Sequence, residues 1–70
     1  MEICYTYHAF KRINKRKLIK VWIEETIKSP DLIKRQESKY FIIKKLNGKT
    51  LKVVYEKTRY IKVITFYFIK

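Results

Sequence analysis

Three residues near the amino terminus, His8, Arg12 and Arg16, follow one another at intervals of four. On one continuous helix, residues with this spacing lie about 40° apart around the axis and form a cationic ridge. An Arg guanidinium can grip a phosphate through two parallel hydrogen bonds, and a His can exchange a proton near neutral pH. The ridge therefore predicts phosphate binding, with His8 as a candidate for proton transfer.

Each member of this ridge also has a structural interpretation. His8 would cap or pack a helix, and either Arg would tie the helix to a sheet by pairing with a carboxylate. The candidate carboxylates are Glu24, Glu25 and Glu56. Because adjacent helical residues do not face each other, Glu24 and Glu25 form a poor acid–base pair and are expected to be solvated.

Aromatic and basic residues are interleaved in the second half of the chain. A sheet surface of this composition stacks bases on its rings while its cations hold the backbone. Aromatic residues are also good strand formers, so a core position is favoured for most of the rings. Tyr hydroxyls at the rim of the sheet are candidates for proton transfer or phosphate contact. The rings are Tyr55, Tyr60, Phe66 and Tyr67, and the cations are Lys52, Lys57, Arg59 and Lys62.

The net charge supports a polyanionic partner. Eighteen Lys and Arg against six Asp and Glu give +12 at pH 7, more than the solubility of a small domain requires. A basic composition inherited from an AT-rich genome is the alternative explanation. Membrane attachment is a weaker one, because polybasic segments usually need a second anchor and none is seen. We therefore expect RNA as the partner and no membrane.

Several classes of site are excluded by composition. A single cysteine, Cys4, allows neither an internal disulfide nor a multi-thiolate metal site, and a catalytic thiol is disfavoured. One glycine in the chain rules out the Gly-rich phosphate loops of P-loop and Rossmann folds. We expect no metal and no cofactor. The segment from Met1 to Phe10 has no run typical of a signal peptide, so the predicted location is the cytoplasm.

Hydrophobic periodicity predicts helices in the first half. A short extended start at Ile3 to Tyr5 is followed by Thr6 as an N-cap. Two apolar stripes at helical spacing comprise Phe10 with Ile13, and Ile19, Trp22, Ile23 and Ile27. The Lys-rich stretch between them leaves open two helices or one bent helix. Pro30 ends the helical part, because it disfavours helical geometry at Ser29.

The second half predicts strands at Leu32 to Arg35, Tyr40 to Leu46, Thr50 to Glu56 and Tyr60 to Phe68. Asn47-Gly48 predicts a two-residue type I′ hairpin, and Lys57-Thr58-Arg59 a second turn, so the last three strands should form an antiparallel meander. The expected fold is one α+β domain over residues 1–70, with one or two helices packed on a three- to four-stranded antiparallel sheet.

The final strand is apolar on both faces from Val63 to Ile69. An exposed edge of this kind would invite aggregation. We therefore expect either a central position in the sheet or a protein partner, for which a homodimer is the simplest case.

A set of short segments runs along nearly the whole chain: Tyr7-His8-Ala9-Phe10-Lys11-Arg12, Arg16, the helix end from Ile27 to Pro30, Leu46-Asn47-Gly48, Leu51-Lys52-Val53-Val54-Tyr55 and Val63-Ile64-Thr65-Phe66-Tyr67. The set resembles a small bacterial and archaeal family of unknown function with a His-x-x-x-Arg-x-x-x-Arg helix and a closing Val-Ile-Thr strand. That family is grouped, on fold similarity, with BrnT and RelE-type toxins of toxin–antitoxin systems.

The resemblance implies a RelE/BrnT-like fold, the endoribonuclease activity of the better-known relatives, and an acidic antitoxin covering the active face. Our leading hypothesis is an RNA-binding, toxin-like protein that cleaves RNA without metal by attack of a 2′-hydroxyl on the adjacent phosphate, with or without the ribosome. The alternatives are a non-catalytic nucleic-acid-binding module and a protein-interaction adaptor. The expected catalytic residues are His8, Arg12, Arg16 and Tyr67, and the expected RNA-binding residues are Lys11, Lys15, Lys52, Arg59, Lys62 and Thr65.

Overall fold

The computed structural model describes residues 2–13 and 17–69. Its elements follow the order β1 (Ile3–Tyr5), α1 (Tyr7–Ile13), α2 (Lys17–Lys28), β2 (Leu32–Gln36), β3 (Lys39–Leu46), β4 (Lys49–Lys57) and β5 (Ile61–Ile69). The α+β class is confirmed. The first half contains two helices, and residues 14–16 between them lie outside the described part of the chain.

The sheet differs from the prediction in size and in one strand direction. Over the described residues it has five strands in the order β1-β5-β4-β3-β2, rather than three or four. The meander of β3, β4 and β5 is confirmed as antiparallel, and β2 joins it antiparallel to β3. β1, however, pairs in parallel with β5, from Ile3 opposite Ile61 to Tyr5 opposite Val63. Three residues are too few for alternation to indicate a partner, so pairing of β1 was not predicted.

Both helices lie on one face of the sheet and build the core there. In α2, Ile19 and Ile23 are buried, and Trp22 and Ile27 pack against them, as the periodicity predicted. In α1 the predicted stripe was half wrong, because Ile13 is buried but Phe10 is 52% exposed. Ala9 takes the inward position instead. A seven-residue helix resting on the sheet needs a small residue where it approaches closely, whereas Phe10 lies one position further round the axis.

The start of α1 and the end of α2 lie where Thr6 and Pro30 predicted them. The Oγ1 of Thr6 accepts a hydrogen bond from the backbone N–H of Ala9 (3.3 Å), which is the N-cap arrangement. The α2 helix ends at Lys28, two residues before Pro30. None of the helices in residues 2–13 and 17–69 is both long and apolar enough to cross a membrane.

The hairpin between β3 and β4 fixes the register of the sheet. Asn47 has φ 40° and Gly48 has φ 80°, as a type I′ turn requires of both central residues. Leu46 therefore pairs with Lys49, and the pairing continues without a break to Lys39 opposite Glu56. Because side chains alternate along a strand, this register determines which residues of β3 and β4 share a face.

A β-bulge interrupts the pairing of β4 with β5. Val54 pairs with Thr65, but the next residue, Tyr55, pairs with Val63, so Ile64 is the additional residue on β5. The bulge reverses the alternation of β5 at this point. Val63 and Phe66 consequently both face the helices although they are three residues apart, and both are buried.

Candidate nucleic-acid interface

The face of the sheet opposite the helices is called here the open face. Its residues follow from the register: Phe41 and Ile43 of β3, Lys52 and Val54 of β4, and Thr65 and Tyr67 of β5, flanked by Lys34, Lys39 and Lys62. The buried residues of the same strands, such as Ile42, Val53 and Phe66, point to the helices. Among the described residues, no helix packs on the open face.

A row of two rings and one cation crosses the centre of this face. Lys52 lies directly opposite Tyr67 in the pairing of β4 with β5. Its Nζ is 5.7 Å from the centroid of the Tyr67 ring and 5.9 Å from that of the Phe41 ring;. Lys52 therefore stands between two aromatic rings, one on each of the strands that flank β4, and Tyr67 is 40% exposed. We call these three residues the aromatic row.

Further cations lie on or beside the open face. The Nζ of Lys62 is 3.9 Å from Oε1 of Glu56, across the β4–β5 pair, and the Lys62 side chain remains 43% exposed. Thr65 is half-buried on the open face, between Lys62 and Tyr67 along β5. Arg59 is exposed in the turn before β5. The sheet thus brings Lys52, Lys62 and Thr65 onto one surface with Tyr67.

Arg12 has a contact that the sequence did not indicate. Its Nη1 donates a hydrogen bond to the carbonyl oxygen of Phe66, and its guanidinium carbon lies 4.7 Å from the Phe66 ring centroid;. Pairing of β5 with β1 extends only as far as Val63, so this carbonyl lies on the margin of β5 beyond the end of β1. Thr6 makes a similar contact two residues earlier along β5, where its Oγ1 donates a hydrogen bond to the carbonyl oxygen of Ile64 (2.9 Å). Arg12 therefore ties the helix to the sheet through a carbonyl rather than through the carboxylates considered above.

His8, the other described residue of the predicted ridge, is separated from the aromatic row. His8 and Lys11 are exposed on α1, and the Nζ of Lys11 lies 5.3 Å from the Tyr7 ring. The predicted Arg16 and Lys15 lie outside the described residues. The side chain of Tyr67 is on the open face, whereas α1 packs on the opposite face. Arg12 connects α1 to the strand that carries Tyr67, because it binds the backbone carbonyl of Phe66, the residue before Tyr67.

Three side chains outside the aromatic row, those of Tyr5, Tyr55 and Cys4, have raised pKa values. Burial, reinforced by the negative charge of Glu24, raises the pKa of Tyr5 to about 12. Burial and the neighbouring Tyr40 raise the pKa of Tyr55, which is stacked on Tyr40 with ring centroids 4.9 Å apart. Partial burial and then the charge of Glu2 raise the pKa of Cys4. These groups are protonated at neutral pH and are poor general bases.

Two features of the open face were not recognised in the sequence. Phe41 had not been considered for binding, although the Asn47-Gly48 register alone places it on the same face as Lys52. A cavity of about 340 Å³ also opens beside Phe41, at the turn between β2 and β3. No sequence pattern indicates this cavity, because it is formed by a turn and the end of a strand that is distant along the chain.

Comparison with known proteins identifies one family. A family model described as a domain of unknown function, DUF4258, matches residues 5–68. No curated protein and no solved structure matches the chain. The matched segment runs from the last residue of β1 to the penultimate residue of β5 and so includes both helices and the whole meander.

Proposed function

The chain belongs to the DUF4258 family of domains of unknown function, and we propose that it binds single-stranded RNA on the open face of its sheet. The observation that carries this proposal is the aromatic row, in which the Nζ of Lys52 lies within 6 Å of the centroids of two rings, one on each strand that flanks β4. Rings of this kind stack unpaired bases, and the cation between them is placed to meet the phosphate that joins two bases.

The charge of the chain and the shape of the site support the same partner. A net charge of +12 draws polyanions to the protein by long-range attraction. Lys34, Lys39 and Lys62 surround the aromatic row, so cations are available along the path of a strand. Bases inside a duplex are already stacked on one another, which leaves no face for Phe41 or Tyr67, and a single strand is therefore preferred over a double helix.

Removal of the central cation provides the test. We expect Lys52→Gln to weaken binding of a labelled single-stranded RNA and to lower the slope of log affinity against log salt by about 0.7, the value for one phosphate contact on a single strand. Lys28→Gln is the matched control, because it removes the same charge from the exposed end of α2. Fluorescence anisotropy at several salt concentrations measures both variants. Equal losses in the two variants would mean that only net charge attracts the RNA and would contradict the proposal.

A second candidate function is metal-independent cleavage of the bound RNA. It is favoured by one observation: His8, the candidate for proton transfer, is exposed on α1 one helical turn before Arg12. A toxin role of the BrnT and RelE kind would add the ribosome, as the carrier of the RNA, and an acidic antitoxin as partners.

Cleavage can be distinguished from binding in one incubation. If the chain is a nuclease, labelled RNA should give discrete products in the presence of a chelator, with or without ribosomes. His8→Ala should slow their formation while leaving binding unchanged, because His8 is outside the aromatic row and its proposed task is proton transfer. Gel electrophoresis of the products, beside anisotropy of the same samples, makes the comparison. Binding without products from the unmodified chain would exclude the nuclease and leave the RNA-binding proposal intact.

A further inference from the structure

The cavity at the β2–β3 turn has the composition of a nucleobase pocket. Its volume is about 340 Å³, and it is lined by Gln36, Glu37, Ser38, Lys39, Phe41 and Glu56. It combines one aromatic surface with an amide, a hydroxyl, an ammonium group and carboxylates. Pockets that recognise a base splayed out of a single strand combine a stacking ring with hydrogen-bonding groups for the edge of the base.

Glu56 is the part of this cavity that can discriminate between bases. Its Oε2 accepts a hydrogen bond from the Oγ of Ser38 at 3.3 Å, and its Oε1 lies 3.9 Å from the Nζ of Lys62;. Both contacts are long, and the Glu56 side chain remains 32% exposed. An ionised carboxylate has about four acceptor positions. Glu56 therefore retains acceptor capacity for a ligand that offers two donors.

We propose that this cavity takes a guanine base of a single-stranded RNA, with the Glu56 carboxylate accepting hydrogen bonds from N1–H and the N2 amino group. This inference rests on the proposed RNA-binding function. Guanine alone presents two adjacent donors on its Watson–Crick edge. The amino groups of adenine and cytosine stand beside an unprotonated ring nitrogen, and the N3–H of uracil stands between two carbonyls, so each of these bases places an acceptor against one carboxylate oxygen.

The position of the cavity makes it continuous with the aromatic row. Phe41 belongs to both, since its ring lines the cavity and also lies near Lys52. A strand with one base stacked on Tyr67 would thus place another base in the cavity, stacked on Phe41. Gln36 and Lys39, which lie opposite each other in the β2–β3 pair, provide donors for the O6 and N7 acceptors of guanine.

Base substitution within one RNA tests the proposal. The probes are fluorescein-labelled oligouridines with a single central guanosine, inosine, adenosine or cytidine. Inosine is guanosine without the N2 amino group, so it removes one of the two proposed hydrogen bonds and changes nothing else. We expect the unmodified chain to bind the guanosine probe about ten-fold more tightly than the inosine probe, which is within the discrimination that a bidentate contact to a base usually provides. Anisotropy at fixed salt gives the ratio.

Glu56→Gln should abolish this ratio, because a carboxamide cannot accept two hydrogen bonds side by side. Its affinity for the all-uridine probe should stay within about two-fold of that of Glu25→Gln, a control that removes the same charge from an exposed site on α2. Equal affinity of the unmodified chain for guanosine and inosine probes, or a ratio that survives in Glu56→Gln, would overturn the guanine pocket while leaving RNA binding in place. Failure of the unmodified chain to bind any probe would overturn the proposed function itself and this inference with it.

Discussion

Replacing both rings of the aromatic row with leucine should weaken RNA binding by about 30-fold or more, because each base stacked on an aromatic side chain contributes about 1–3 kcal/mol. The double variant Phe41→Leu with Tyr67→Leu keeps two apolar side chains on the open face and leaves Lys52 in place. It removes the flat π surfaces and no charge. Anisotropy with the same labelled single-stranded RNA measures the loss, and circular dichroism checks that the variant is folded.

A matched control is available on the other layer of the molecule. Tyr7 and Phe10 are exposed on α1, by 74% and 52%, and Tyr7→Leu with Phe10→Leu also removes two exposed rings. This variant should bind RNA like the unmodified chain. A similar loss in both double variants would show that exposed aromatic residues promote binding without a defined site. A loss only in the α1 variant would move the interface to the helices and contradict the assignment to the open face.

The largest effect on stability is expected at Phe66, where Phe66→Ala should cost about 3–5 kcal/mol of the free energy of unfolding, as buried Phe→Ala substitutions typically do. Phe66 is 1% exposed and pairs with the buried Val53 across the sheet. The guanidinium of Arg12 also packs over the Phe66 ring. A chain of this length has about 3.5–10 kcal/mol of total stability, so the variant should be largely unfolded or should melt at a much lower temperature.

The neighbouring residue provides the comparison for this prediction. Tyr67→Ala should cost less than about 1 kcal/mol, because the Tyr67 side chain is 40% exposed and faces away from the core. Urea denaturation followed by circular dichroism compares the two variants with the unmodified chain. A larger cost at Tyr67 than at Phe66 would mean that the β-bulge at Ile64 does not reverse the alternation of β5, and the composition of the open face would then have to be reassigned.

The position of β5 also bears on the prediction of a protein partner. The strand was expected either to be central or to need a partner, and it lies between β1 and β4. Its margin beyond β1 carries the hydrogen bonds of Thr6 and Arg12. β2 is the longer of the two edge strands in the described sheet, and its residues Leu32 and Ile33 are 64% and 61% exposed. A homodimer and an acidic protein partner remain predictions, and β2 is where strand pairing with either would take place.

Short-range signals in the sequence were sufficient to predict most of the helices and strands. Thr6, Pro30 and Asn47-Gly48 each act on their immediate neighbours through backbone geometry, so a helix start, a helix end and a hairpin could be predicted at those positions. The meander and the covering of one face by α2 follow from periodicity over a few residues. Phe10 was misassigned because a seven-residue helix has too few turns to define its inward face.

The sequence by itself determined the basic composition, the α+β class and the antiparallel meander, while a polyanionic partner stays a prediction from the net charge. Only the tertiary structure decided that β1 pairs with β5, that Arg12 binds the carbonyl of Phe66, and that Phe41, Lys52 and Tyr67 share a surface. The physical reason is the range of the interactions involved. Caps, turns and periodicity depend on residues close in the chain, whereas one bulge residue on β5 determines which of its side chains meet residues of distant strands on the open face.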